Sequence, residues 1–325
     1  MNELHKIKLP IEEDIIEFHK EFKNALDSDV KLINSISGYL VKNRGKAIRP
    51  TLTLLCARLC NEPTTHSYRA AAMMELLHVA TLIHDDIVDD GKMRRGKPSV
   101  KQIWKNKISG LMGDFILAKA LINMVNLKNF DALDLISKTA EKLSAGEIMQ
   151  IEKSLTRNMS KDFYYEMINQ KTASLISASC ELGAITTTND KADRKATFLY
   201  GDNLGMAFQI KDDLFDFLGS ESQTGKDAGG DVKKNMITLP LIFSLENSTK
   251  TQSKKLKSLV RSKKKTKTNL KDINEMISES GGFRYANDKL NEFSEKAIDA
   301  IQGYEESEVK KSLTQLVSFN INRKM

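Results

Sequence analysis

Proline is scarce in this 325-residue chain: there are five, and none falls between Pro98 and Pro240. Short alternating β-branched runs between turn dipeptides are equally scarce, so a β-rich fold is excluded and long helices are favoured. Cysteine is rarer still. Cys56, Cys60 and Cys180 cannot build a disulfide framework. A lone C-x3-C pair does not make a zinc site either, so the thiols read as core residues of a reduced, cytoplasmic protein. No run approaches the ~18 apolar residues of a membrane span, and the charged start MNELHKIKLP is no signal peptide. Acid is missing from one stretch, TQSKKLKSLVRSKKKTKTNLK at 251–271, which holds nine Lys or Arg. The net charge of +7 comes from there, because the remaining 41 basic residues are outnumbered by 43 acids. A local excess without interleaved aromatics is not a nucleic-acid surface. The stretch reads as a solvated connector between helices, with peripheral contact to an anionic membrane as the lesser reading.

What is present is helical periodicity. From Tyr68 to Asp90 there is neither Gly nor Pro, and Met73, Met74, Leu77, Ala80, Ile83 and Ile87 recur at helical spacing. Turn signals at Asn43–Gly45, Gly91–Gly96, Gly225–Gly230 and Gly281–Gly282 punctuate the chain. With no fixed-period repeat and no obvious linker, residues 1–325 read as one all-α domain of ten or more helices, its motif-bearing core at about 45–240.

Within that pattern the chain writes D-D-x-x-D twice, in LIHDDIVDD at 82–90 and in QIKDDLFD at 209–216. On a helix the first and last aspartates of the motif lie one turn apart on one face. Asp85 and Asp89 can thus offer oxygens to one hard cation with Asp86 beside them, and Asp212, Asp216 and Asp213 repeat the arrangement. Magnesium takes one or two carboxylates and completes its shell with water and phosphate oxygens. Two such clusters across a helical cavity would hold a diphosphate through bridging metals. Aspartate is a poor interior helix residue, and both motifs interrupt apolar stretches, so acidic helix ends explain them badly. An anion held by metals needs cations on its other side. Lys46 and Arg49 in NRGKAIRP, three apart at an expected helix start, and Arg94 and Arg95 in KMRRGKPS supply them.

These residues and their order resemble a family: the trans-isoprenyl diphosphate synthases of the polyprenyl synthetase type. The likeness runs from about Gly45 to Pro240 through GKAIRP, ELLHVATLIHDDIVDDGKMRRGKPS, GDFILAKA, GEIMQ, KTASL, GMAFQIKDDLFD and TLPLI. It implies an isoprenoid synthase helical bundle around a central cavity, usually a homodimer. It implies condensation of isopentenyl diphosphate with an allylic diphosphate such as farnesyl or geranylgeranyl diphosphate, with three magnesium ions per active site. By resemblance Asp85, Asp86 and Asp89 form the first aspartate-rich motif and Asp212, Asp213 and Asp216 the second, with Asp85, Asp89 and Asp212 as metal ligands. Lys46, Arg49, His78 and Arg95 match positions that hold isopentenyl diphosphate. Arg94, Lys171, Thr172, Gln209 and Lys226 match positions around the allylic diphosphate, Lys171 and Gln209 also steadying the allylic cation.

One stretch departs from the family's D-x-x-x-G-K-x-T-L-P: DVKKNMITLP puts Asn235 and Met236 where Gly and Lys are expected. Met236 cannot bind phosphate, which leaves Lys233 or Lys234 to reach in. The tunnel for the growing chain is expected along Leu77, Ala80 and Thr81, before the first motif. Ala80 and Thr81 are small where short-chain members carry aromatics, which implies an all-trans product longer than C15. A geranylgeranyl product is the alternative, if Leu77, Met74 or the helix from Phe115 closes the tunnel. Of the rival readings, a His-Asp phosphohydrolase using His84, Asp85 and His66 or His78 leaves the second motif unexplained. Subunits of heteromeric synthases usually lose aspartates that are all present here, and cyclases rarely keep two full motifs.

Overall fold

The structure is a computed structural model that describes residues 3–94, 96–156, 160–218, 238–262 and 266–323. It is 84% helical with almost no strand, so the all-α expectation holds. In chain order the helices are α1 (Glu3–Lys8), α2 (Glu12–Ala25), α3 (Lys31–Lys42), α4 (Ile48–Cys60), α5 (Thr65–Val88), α6 (Val100–Asn126), α7 (Phe130–Thr156) and α8 (Lys161–Ile168). There follow α9 (Ser174–Ile185), α10 (Lys191–Leu218), α11 (Leu239–Asn247), α12 (Lys250–Arg261), α13 (Lys267–Glu279), α14 (Gly282–Ala300) and α15 (Glu308–Asn322). A two-stranded hairpin pairs β1 (Met93–Arg94) with β2 (Lys97–Pro98).

The prolines mark beginnings, where a missing N–H costs nothing. Pro50 and Pro240 lie in the first turns of α4 and α11, and Pro63 and Pro98 precede α5 and α6 by two residues. Side-chain caps complete several starts: Thr64 and Ser67 form a capping box on α5, and Ser99 accepts from the Gln102 N–H on α6.

The chain folds into two compact units. The first comprises 1–140, 175–201 and 301–316, the second 141–174, 202–300 and 317–325. In the first unit α5 is buried on nearly every side, with α2, α4 and α6 packed against it. Ala70 through Met74, together with Leu76, are wholly buried there. A helix that is apolar all round belongs at the centre of a core, and each fully buried Leu or Met contributes about 1.5–3 kcal/mol. The second unit has its own core, where Tyr164, Ile168, Met206, Ile210 and Phe217 pack with residues of α11 to α14.

One detail corrects the sequence reading. The basic run expected as a connector is itself helical over Lys250–Arg261, and α12 buries Leu256 and Val260. The alternation of Lys with an apolar i, i+4 pair was a helix signal overshadowed by charge. A different case is α6, which has the length and composition to cross a membrane without contradicting the sequence reading. Yet it carries Lys105, Lys107, Asp114 and Lys119 and packs along α5 as a helix of the fold. The thiols behave as expected: all three are free, with Cys56 and Cys180 buried. Burial, reinforced by the neighbouring Cys56, pushes the Cys60 thiol up to about 12.

Candidate active site

The first aspartate motif sits at the C-terminal end of α5. Asp89 is the C-cap, its N–H donating to the Asp85 carbonyl at 2.8 Å. Asp90 follows with φ 55°, and the Gly91 N–H returns to the Asp86 carbonyl at 2.9 Å, closing a Schellman turn. Carboxylates at a helix C-terminus run against the helix dipole, so helix stability does not account for this cluster. Its members are not equivalent. Asp85 is half-buried and Asp89 exposed, whereas Asp86 is 6% exposed and held by Arg94 from β1. The Arg94 Nη2 donates to Asp86 Oδ1 at 2.9 Å and its Nε to Oδ2 at 3.1 Å. Gly91 is required here, because a Cβ at that position would stand 2.7 Å from Asp86 Oδ1. Arg94, expected at the allylic diphosphate, pairs here with the first motif. Beside this pair opens a cleft lined by Tyr39, Arg44, Glu75, Val79, Asp86 and Arg94 among others.

The second motif lies in the last turns of α10 and repeats the inequality. Asp212 and Asp216 are half-buried, while Asp213 is 4% exposed. Asp213 accepts from the Tyr164 hydroxyl at 2.6 Å and from Gln209 Nε2 at 2.8 Å. Gln209 in turn accepts from the Thr172 hydroxyl at 2.7 Å. Lys171 and Thr172 lie on a π turn, Asn169–Ala173, a local widening frequent at functional sites. Two glycines hold that turn close. A Cβ at Gly146 would meet the Lys171 N at 2.6 Å, and one at Gly205 the Ala173 Cα at 2.5 Å. The Lys171 ammonium pairs with Glu147 at 2.5 Å and donates to Gln150 at 2.9 Å. Arg323, near the end of the chain, pairs with Asp212 while its guanidinium lies 4.2 Å from the Phe208 ring centre.

Sequence reasoning missed Tyr164, Glu147, Gln150 and Arg323. Glu147 and Gln150 stand inside the quoted GEIMQ and could have been named as partners of a nearby cation. Tyr164 and Arg323 carry no local signal, since their partners are far away in sequence. Lys46 is exposed and precedes α4, whose N-cap is Ala47 with φ 51°, so the expected helix start falls two residues later. Arg49 is half-buried in the first turn of α4, and His78 is half-buried on α5. Leu77 and Ala80 are 3% and 1% exposed. Thr81 is half-buried, its hydroxyl donating to the His78 carbonyl at 2.9 Å. Arg95, Lys226, Lys233, Lys234, Asn235 and Met236 lie outside the described residues. His84 turns to Asp114 on α6, Nε2 to Oδ1 3.2 Å.

Among the described residues no three His, Cys, Asp or Glu side chains are preassembled around a point that could hold an ion. The donors at hand are carboxylates one turn apart, and they suit a hard cation that draws its remaining ligands from water and phosphate. Magnesium fits that donor set. Asp85 with Asp89, and Asp212 with Asp216, would hold it; Asp86 and Asp213 are the buried members of the two motifs, and Asp212 would have to share its carboxylate with Arg323.

Comparison with known proteins agrees with this geometry. The Polyprenyl synthetase family profile matches residues 30–277, a wider span than the motifs alone suggested. The octaprenyl diphosphate synthase of Escherichia coli (strain K12) is 30% identical over 98% of this chain and 99% of its own. The heptaprenyl diphosphate synthase component 2 of Bacillus subtilis (strain 168) is 31% identical over 97% of this chain and 89% of its own. Among solved structures, a polyprenyl synthase from Caulobacter crescentus CB15, complexed with calcium and isoprenyl diphosphate, superposes with a TM-score of 0.91. It is 31% identical, with 99% of this chain and 98% of that one covered. With paired D-D-x-x-D motifs on an all-α frame and a family match over most of its length, this chain belongs to the polyprenyl synthetase family of prenyltransferases.

Proposed function

We propose that the protein is a magnesium-dependent prenyltransferase that condenses isopentenyl diphosphate with an allylic diphosphate to an all-trans polyprenyl diphosphate longer than C15. The observation that carries this reading is the shared division of labour in the two motifs. In each, the middle aspartate is buried and the outer two are more exposed, although Asp212 also pairs with Arg323. Magnesium bound at the outer carboxylates supplies Lewis-acid stabilisation of the diphosphate leaving group. The rest falls to side chains. Arg94 and Tyr164 hold Asp86 and Asp213 in place. Glu147 and Gln150 aim the Lys171 ammonium, which is positioned to meet diphosphate charge as the C–O bond breaks. Gln209, fixed between Thr172 and Asp213, presents its carbonyl oxygen to the allylic cation. Lys46, Arg49, His78 and Arg95 are assigned to isopentenyl diphosphate, and Lys226 to the allylic diphosphate, by family resemblance.

The product length follows from Ala80 and Thr81, which leave the upper tunnel open, with geranylgeranyl diphosphate as the shorter alternative. A homodimer is supported by Leu111, Leu121, Ile122 and Val125 of α6, which are 49–65% exposed. A heteromeric synthase is the second reading, favoured by the likeness to a protein named as component 2. Three free thiols suit a cytoplasmic setting. The deciding experiment incubates the purified chain alone with magnesium, isopentenyl diphosphate and each allylic primer, and identifies products by mass spectrometry. Products longer than C15 are expected, and Asp212→Ala should lower turnover by orders of magnitude. No product until a second protein is added would establish the heteromer, and an unimpaired Asp212→Ala would sink the two-motif mechanism.

A further inference from the structure

Helix α12 carries charge that its own stability does not call for. Lys250, Lys254, Lys257 and Arg261 follow i, i+4, i+7, i+11, which aligns them in one stripe along the helix. All four are exposed, as is Lys255 to one side. Like charges at these spacings repel, and cations in the first turns oppose the helix dipole. No acid stands in the first turn, and none occurs anywhere from 251 to 271. Among the described residues, no ion pair engages Lys250, Lys254, Lys255 or Lys257. The apolar side of α12 is already used: Leu256 and Val260 are 0% and 3% exposed within the second unit's core. The charge that the helix offers outward is all positive, set among neutral Thr251, Gln252 and Ser258.

We propose that this stripe docks the enzyme on an anionic lipid bilayer. Extended negative charge at a surface is the partner that a row of flexible, unneutralised lysines complements, without needing shape or register. Nucleic acid fits less well, because α12 has no aromatic side chain on which a base could stack. The chemistry of the reaction gives the contact a use, and this one step rests on the prenyl synthase reading. A polyprenyl tail longer than C15 leaves water for a bilayer, so release at the membrane clears the site.

The test is flotation of the full-length enzyme with vesicles of phosphatidylcholine alone or mixed with phosphatidylglycerol. Binding to the mixed vesicles only, and release as salt is raised, is expected. A quadruple variant with Lys250→Gln, Lys254→Gln, Lys255→Gln and Lys257→Gln should bind them about two to three orders of magnitude more weakly. Its melting temperature should be unchanged or higher, since repulsion is removed, and its condensation rate in detergent unchanged. The matching Lys→Arg variant should bind like the wild type. Equal binding to neutral vesicles, undiminished binding by the Gln variant, or retention by a mixed-sequence RNA without vesicle binding would overturn the proposal. Flotation is read without substrate, so its failure stays separate from any failure of condensation.

Discussion

Asp212 and Asp213 are neighbours in sequence yet stand in opposite surroundings. The Asp213 carboxylate is buried and takes hydrogen bonds from Tyr164 and Gln209, whereas Asp212 is half-buried against Arg323. Helical geometry turns adjacent residues through about 100°, so one carboxylate enters the core of its unit and the other does not. The two should therefore fail differently. Tyr164→Phe removes a hydroxyl donor to a buried anion, and a hydrogen bond to a charged group contributes about 1.5–3 kcal/mol. It should lower the melting temperature clearly. Asp212→Ala breaks a partly exposed pair and should cost no more than about 1 kcal/mol, while abolishing most turnover. Calorimetry on both variants checks this. An unaltered melting temperature for Tyr164→Phe would show that Asp213 does not depend on the tyrosine.

At the scale of elements, α5 joins the chemistry to the length of the product. It carries the first motif at its C-terminal end and, a turn or more earlier, Leu77, Ala80 and Thr81. Close packing on α6 fixes its position: a Cβ at Gly113 would collide with His84 Nε2. Ala80 is 1% exposed, which agrees with a tunnel wall and with ordinary packing alike. Ala80→Phe separates the two. As a tunnel residue it should shorten the product while condensation continues. As a packing residue it should destabilise the fold by about 1–3 kcal/mol through overpacking, with product length unchanged. Chromatography of the products beside a melting curve reads both outcomes.

For the whole molecule, His19 is a weak point of acid stability. Burial, helped by Arg44 and Lys8, lowers the His19 pKa to about 4 from its ordinary value near 6.5. Folded His19 is therefore neutral over a range in which the unfolded chain binds a proton, so stability falls as pH drops from about 6.5 to about 4. The full shift would be worth about 3 kcal/mol, and the half-buried ring reduces this to about 1–2 kcal/mol by solvent screening. His19→Gln should flatten that part of the melting-temperature profile. If the variant loses stability across this window as steeply as the wild type, His19 is not the group responsible.

The sequence by itself determined the helical class, the two aspartate motifs and the family, because these rest on short-range rules. Proline placement, 3.6-residue periodicity and D-x-x-x-D spacing all act within a few turns of one helix. It also misjudged 250–261, where a dense row of lysines hid the Leu256–Val260 pair that makes α12 a packed helix. Which aspartate in each motif is buried, and what holds it, was decided only by tertiary structure. Arg94 reaches Asp86 because a two-stranded hairpin folds back on α5. Tyr164 reaches Asp213, and Arg323 Asp212, across 49 and 111 residues of chain. No local pattern encodes such pairs, since a side chain's partner over that separation depends on how whole helices pack.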